Sequence, residues 1–307
     1  MSTRNSLFIA DRTTGMSDVV VERLSPDEAF ELMAHETRFR ILRALDEVDD
    51  PLAFSEVRKR VGVEDPGQFN YHLGKLVGRF VREDDEGYRL TAAGRRVVGA
   101  VLSGGYTSVL EGDPVPMDVP CLNCGAPMET RFREDGITVG CDDCGMTFAN
   151  PDVPPGILEE RSREDAPAVV DRWNKRLMHA MTYGFCDCCD GPVEETVYLP
   201  DDDVAPDWVD GEQFDVRVRY DCGRCSQRWD SLVPAVVVAH PAVAGFHHEH
   251  GVDVRKTPMW ELNWLRAGAA TVVGEDPLRV EIPVTVDDET RVFTFDADLD
   301  VVDDRQK

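Results

Sequence analysis

Four Cys-x2-Cys pairs limit what this chain can fold into more than any other feature. All nine of its cysteines fall between Cys121 and Cys225. Cys121/Cys124 and Cys141/Cys144 are separated by sixteen residues, the spacing at which two tight knuckles close four thiolates around one zinc ion. Gly125 and Gly145 follow the two pairs and let backbone amides turn toward the sulfurs. The intervening Glu129–Gly140 reads as a hairpin, with Met128, Phe132, Ile137 and Val139 as its apolar positions. Cys186/Cys189 and Cys222/Cys225 repeat the pattern around a long insert, with Phe185 and Trp229 placed to cover the site. Cys188 is the ninth thiol and could replace a neighbour, but the two-residue gap favours Cys186 with Cys189. The alternative for this second set is free structural thiols or a disulfide-forming switch, against which stands the rarity of cytosolic disulfides. Four thiolates close a coordination shell, whereas catalytic zinc keeps a position for water. The expected cofactor is therefore zinc, two ions, both structural.

The fold class expected is multi-domain α+β: an N-terminal winged helix-turn-helix, two four-cysteine zinc ribbons joined by a helix, and a small α/β C-terminal region. The chain has 307 residues, too many for one ordinary domain. The boundaries read as a disordered N-terminus (1–23), the winged helix (24–105), a linker (106–117), ribbon one (118–150), a linker with a helix (151–184), ribbon two (185–232), the C-terminal region (233–302) and a loose tail (303–307).

Local signals carry the N-terminal part. Ser25-Pro26-Asp27-Glu28 opens a helix with a capping box. A second helix runs from about Glu36 to Leu45, with Ile41, Leu42 and Leu45 inward and Arg38, Arg40 and Arg43 outward. Ser55 caps a third, Glu56–Val61, closed by Gly62. Asp65-Pro66 opens a fourth to about Arg79, with Phe69, Leu73, Leu76, Val77 and Phe80 on one stripe. Its other face carries Gln68, Asn70, Tyr71, His72, Lys75 and Arg79. Strands Phe80–Arg82 and Tyr88–Leu90 follow around Asp84-Asp85-Glu86-Gly87, then Thr91 caps a helix from Ala92 to about Leu102.

Two segments in this region, Ala34-His35-Glu36-Thr37-Arg38-Phe39-Arg40-Ile41-Leu42 and Gln68-Phe69-Asn70-Tyr71-His72-Leu73-Gly74-Lys75-Leu76, resemble the ArsR-like family of winged-helix regulators. The resemblance spans about residues 25 to 103 and implies binding to double-stranded DNA, commonly as a homodimer, with Ala92–Leu102 a candidate interface. Gln68 and Asn70 are amides suited to paired hydrogen bonds with adenine, and Tyr71 and His72 could meet bases or sugars. Lys75, Arg79 and Arg58 are candidates for phosphates. Family members often sense metals through an early cysteine pair, but no cysteine precedes Cys121. A winged helix linked to a zinc ribbon also resembles the archaeal general transcription factor E, which contacts polymerase. The reading is therefore a DNA-binding transcription regulator, with a basal-machinery adaptor as the alternative. A redox- or metal-sensing regulator is a third reading, with Cys188 as its motivation and Leu232–Arg266 as its effector region.

Charge bears on the partner. The net charge is -26, from 59 acidic against 33 basic residues, and the aspartates are dispersed rather than gathered in one tail. That composition resembles the cytosolic proteins of halophilic archaea; an acidic partner-binding surface is the alternative. Val57–Arg96 inverts the balance, with nine basic residues against six acidic, so a polyanion would bind there. The acidic wing tip, Asp84-Asp85-Glu86, works against phosphate contact and keeps the adaptor open.

After the first ribbon, Asp165–Tyr183 reads as a helix with Val169, Trp173, Leu177 and Met181 on one stripe, and Pro258–Arg266 as a tryptophan-bearing helix. Two strands, Leu278–Val286 and Thr290–Phe295, join around Asp287-Asp288. His240, His247, His248 and His250 cluster without metal-helix spacing, which favours surface or capping roles. No glycine-rich phosphate loop or Gly-x-Ser-x-Gly elbow is present, so no enzyme is expected. No stretch approaches a membrane span, and Met1–Ser17 is too polar for a secretory signal. The expected location is cytoplasmic.

Overall fold

The computed structural model describes residues 24–206, 216–266 and 268–307. The N-terminus expected to be disordered lies outside them. The chain is mixed α and β and divides into two compact units, residues 1–99 and 100–307.

In the first unit, α1 (Pro26–Glu31) opens on the expected capping box, Ser25 Oγ accepting from the Glu28 amide at 3.3 Å while Glu28 accepts from the Ser25 amide at 3.2 Å. His35 Nδ1 caps α2 (Glu36–Asp46) by accepting from the Thr37 amide at 3.1 Å. The next helix, α3 (Phe54–Val61), begins before Ser55: Glu56 reaches back to the Ala53 amide at 3.0 Å, so the carboxylate supplies the cap that the serine was expected to give. Asp65 accepts from the Gly67 and Gln68 amides at 2.6 and 2.9 Å to start α4 (Pro66–Leu76). That helix stops at Leu76, not Arg79, because Val77 turns to an extended conformation.

A hairpin follows, β1 (Val81–Asp84) with β2 (Gly87–Leu90), and then α5 (Ala92–Leu102), where Thr91 Oγ1 accepts from the Gly94 amide at 3.1 Å. Leu52 adds an extra rung to the hairpin through Tyr88, with paired amide bonds of 3.0 and 2.9 Å. Phe69, Leu73 and Leu76 of α4 lie in one core with Ile41 and Leu42 of α2 and Val57 of α3. Arg38, read as outward, is instead buried, its guanidinium donating to Glu31 O at 2.7 Å and tying α1 to α2.

The second unit opens with an antiparallel sheet of β3 (Val115–Pro120), β4 (Pro127–Arg133), β5 (Gly136–Gly140) and β6 (Thr147–Ala149) in sequence order. β3 occupies the end of the expected linker, because Val115 and Met117 are buried against the hairpin rather than solvated. α6 (Ala166–Thr182) buries Val169, Leu177 and Met181 of its expected stripe. A three-stranded sheet of β7 (Val193–Tyr198), β8 (Arg217–Cys222) and β9 (Arg228–Leu232) runs into α7 (Val233–Val237) and α8 (Pro241–Glu249).

The chain ends in a four-stranded meander of β10 (Thr271–Glu275), β11 (Leu278–Val286), β12 (Glu289–Phe295) and β13 (Val301–Gln306). Residues 303–307 are thus not a loose tail: β13 pairs with β12, and Arg305 holds Glu281 through two bonds of 2.8 Å. Pro258–Arg266 does not form the expected helix. Only Met259–Glu261 makes a single tight turn, and Trp260 and Trp264 are buried in two different cores. Val218 and Tyr220 of β8 share one apolar core with Val236, Phe246, Ile282 and Phe293, so the second cysteine ribbon and the C-terminal sheet are built around common side chains.

Candidate metal centres and nucleic-acid interface

The ends of the first ribbon's strands bring Cys121, Cys124, Cys141 and Cys144 together, and the second ribbon does the same with Cys186, Cys189, Cys222 and Cys225. In each set the four sulfurs lie within 4.8 Å of one another. The close pairs are Cys121–Cys144 at 3.7 Å, Cys124–Cys141 at 3.6 Å, Cys186–Cys225 at 3.7 Å and Cys189–Cys222 at 3.5 Å. Four sulfurs about 2.3 Å from a tetrahedral ion stand about 3.8 Å apart, so both clusters have the dimensions of a four-thiolate metal site.

The knuckles explain why the sulfurs converge. The Cys121 amide donates to Ala126 O at 2.8 Å and the Gly125 amide to Cys121 O at 2.8 Å; Cys141, Met146 and Gly145 repeat this at 2.9 Å. In both of these turns the residue after the second cysteine is left-handed, a conformation that Gly125 and Gly145 supply at φ 78° and 73°. In the second ribbon Asp190 takes that conformation at φ 54°, a position where aspartate is tolerated better than most residues. Amides then point at sulfur: Asn123 to Cys121 at 3.4 Å, Arg224 and Cys225 to Cys222 at 3.3 and 3.4 Å. The amides of Cys225 and Arg224 outweigh burial and draw the Cys222 thiol down to about 6, and Asn123 with the Met146 amide does the same for Cys144. Their partners move the other way: burial and the Cys222 sulfur push the Cys189 thiol up to about 12, and against the pull of the Ala126 amide the neighbouring sulfurs push Cys124 up to about 12.

The candidate DNA-contacting residues separate into four groups. Gln68, Asn70, Tyr71 and Lys75 are exposed on α4, with the Lys75 ammonium 5.8 Å from the Tyr71 ring centre. Arg79 is also exposed but stands in the turn after the helix. Arg58 is half-buried and donates to Glu64 O at 2.7 Å, bracing the turn between α3 and α4.

His72 is not on this surface. It is buried, its ring 4.1 Å from that of His35, because it shares the inward face of α4 with Phe69 and Leu76. Burial, then the charges of His35 and Arg38, holds its pKa below the ordinary histidine value. A base contact there would require it to leave the core. On the hairpin, Asp84 is paired with Arg89, which lowers the carboxylate's pKa and leaves Asp85 and Glu86 as the exposed acids of the tip.

A family model described as a domain of unknown function (DUF7351) matches residues 118–301. The chain belongs to the DUF7351 family. A second model, also a domain of unknown function (DUF7347), matches residues 26–101. No curated protein and no solved structure matches the chain.

Both cysteine clusters, Cys188 and the four clustered histidines lie within the DUF7351 match, and the candidate DNA-contacting residues within the DUF7347 match. Cys188 stays out of its cluster and is exposed. The histidines of the family's C-terminal region do not converge on a metal. His240 caps α8 by accepting from the Ala242 amide at 3.2 Å. His247 is buried, with Nδ1 at 2.8 Å from Val243 O and Nε2 at 3.1 Å from the Trp264 indole nitrogen. An indole only donates, so Nε2 carries no proton and Nδ1–H donates to the carbonyl. Sequence spacing could not show this bond, which joins residues seventeen apart. Among the described residues no helix is long and apolar enough to cross a membrane.

Proposed function

We propose that this DUF7351 protein is a DNA-binding transcription regulator: residues 24–105 form a winged helix-turn-helix with α4 as its reading helix, and two structural zinc ions fold the ribbons. The observation that carries the reading is the division of α4. One face, Phe69, Leu73 and Leu76, is buried in the core, while Gln68, Asn70, Tyr71 and Lys75 stand exposed on the other. Neither amide is occupied by a hydrogen bond to another side chain among the described residues. A groove-reading helix needs that combination of a rigid seat and free polar ends. The order of helices followed by a hairpin supports the same reading, with β1–β2 as the wing and Leu52 bridged to Tyr88 on its edge.

Zinc is favoured over other ions because four thiolates in a closed tetrahedral set suit it, and nothing in either cluster leaves room for a reacting water. The ribbons then act as folded supports or partner surfaces rather than as catalysts. Exposed Asp85 and Glu86 at the hairpin tip favour a second reading, an adaptor that contacts the basal transcription machinery. Binding of the zinc-loaded protein to duplex DNA across a salt series separates the two. A regulator binds with a steep salt dependence that Lys75→Ala reduces by about one counterion; an adaptor shows no DNA binding that depends on Lys75.

A further inference from the structure

A groove of about 940 Å³ runs between α6 on one side and α7, α8 and residues 251–255 on the other. Its floor is apolar, formed by Met178, Val238, Ala244, Val252, Val254 and Met259. Its rim gathers basic side chains, with Asp253 beside them. Arg172, Arg176 and His179 follow one another at i, i+4 and i+7 along α6, with His248 and Arg255 on the far side. In a chain with net charge -26 this is a local inversion of sign.

The individual charges are not equivalent. Lys175 is consumed by Asp171 at 2.7 Å, and Arg255 by both oxygens of Asp253 at 2.9 Å. Arg172 and Arg176 form no ion pair among the described residues, although Arg176 lies 4.0 Å from the Trp173 ring centre. Two like charges at i, i+4 repel each other and weaken a helix unless an anion sits between them. On the opposite wall a side-chain carbon at Gly245 would meet nothing within 4 Å, so α8 leaves the groove open there.

We infer that this groove is a binding site for a monomeric anionic amphiphile, its hydrocarbon tail on the Met178–Val252 floor and its carboxylate or phosphate between Arg172 and Arg176. The volume falls in the range of small-molecule sites, and the composition is theirs as well: an apolar bed with a few polar groups at one edge. Guanidinium pairs suit either oxyanion head. The inference does not rest on DNA binding and would hold for an adaptor as well.

The test uses the full-length zinc-loaded protein and the fluorescent probe 11-(dansylamino)undecanoate. Saturable binding is expected, displaced by dodecanoate or dodecyl phosphate but not by dodecanol or acetate. Arg172→Gln with Arg176→Gln weakens it at least about tenfold, the value of a charge-assisted contact. Gly245→Leu, which narrows the groove from α8, weakens it as well while circular dichroism and zinc content stay unchanged. Binding that survives both changes overturns the assignment. So does binding only to phosphatidylglycerol vesicles, which would make the groove a membrane contact, or only to an acidic helical peptide, which would make it a protein interface.

Discussion

Replacing Asp171 with alanine tests how the second unit is held together. Asp171 is 2% exposed on α6; one oxygen accepts from the Met259 amide at 2.9 Å and the other pairs with Lys175 at 2.7 Å. The Lys175 ammonium also donates to Thr257 O at 2.6 Å, and its side chain is 13% exposed. Two of these contacts, to the Met259 amide and to Thr257 O, fasten an irregular segment, residues 257–259, to α6, and the third pairs Asp171 with Lys175 within the helix. Alanine leaves the ammonium without a counter-charge and an amide without an acceptor, which for buried pairs costs about 3–5 kcal/mol. In a unit of this size, residues 100–307, that corresponds to a fall in melting temperature of roughly 10 °C. Calorimetry on zinc-saturated wild type and variant measures it directly. Asp171→Leu combined with Lys175→Met removes both charges and should recover more than half of the loss. A single variant that melts within about 2 °C of wild type would refute the claim that this pair is buried and unshared with solvent.

Other consequences are as specific. Wild type and Cys188→Ser should each carry two zinc ions per chain by plasma emission spectrometry, while Cys141→Ser or Cys222→Ser should lose one and unfold a ribbon; loss of an ion in Cys188→Ser would mean the wrong thiol has been assigned. Gly94→Ala should destabilise the first unit by about 1–3 kcal/mol, because an added carbon would stand 2.3 Å from Phe80 O; denaturant titration checks it, and an unchanged midpoint speaks against that close approach. Burial lowers the pKa of His247, so above its unfolded value of about 6.5 it contributes no pH dependence. Below that, the unfolded chain takes up a proton that the folded chain refuses, and stability falls by up to about 1.4 kcal/mol per pH unit. His247→Gln, which can still accept from Trp264, should flatten the slope between pH 6.5 and 5, and an unchanged slope would place the titration elsewhere.

Much of the helical architecture was legible because its signals are local. Ser25 with Glu28, Asp65 with Pro66, and Thr91 each sit within one turn of the amides they cap. The knuckles are equally local, which is why two four-sulfur sets could be read from spacing alone. Errors gathered where a distant partner decides. Ser55 is the local exception: it has the chemistry of a cap, but Glu56 takes the Ala53 amide and the helix begins at Phe54, one residue earlier. His72 follows Tyr71 on a polar stretch, yet it falls on the inward face with Phe69 and Leu76 and meets His35, the cap of α2. Residues 258–266 carry tryptophans at helix-compatible spacing, but Trp260 and Trp264 serve two different cores, which one helical face cannot do. β13 is acidic and exposed and reads as a tail; its order comes from backbone pairing with β12 and from the Arg305–Glu281 pair. The candidate reading surface was legible in its residue types, but not in which of them the core would take.

The central claim, that α4 reads DNA sequence, is tested most directly by comparing the affinity of the zinc-loaded protein for the duplex upstream of its own gene with that for a scrambled duplex, in molar potassium chloride, for wild type and Asn70→Ala. The account predicts a clear preference for the upstream duplex that falls about tenfold or more in the variant, the value of one paired adenine contact. Equal and weak binding to both duplexes, unchanged by Asn70→Ala, would contradict it and leave the machinery-contacting adaptor as the better reading.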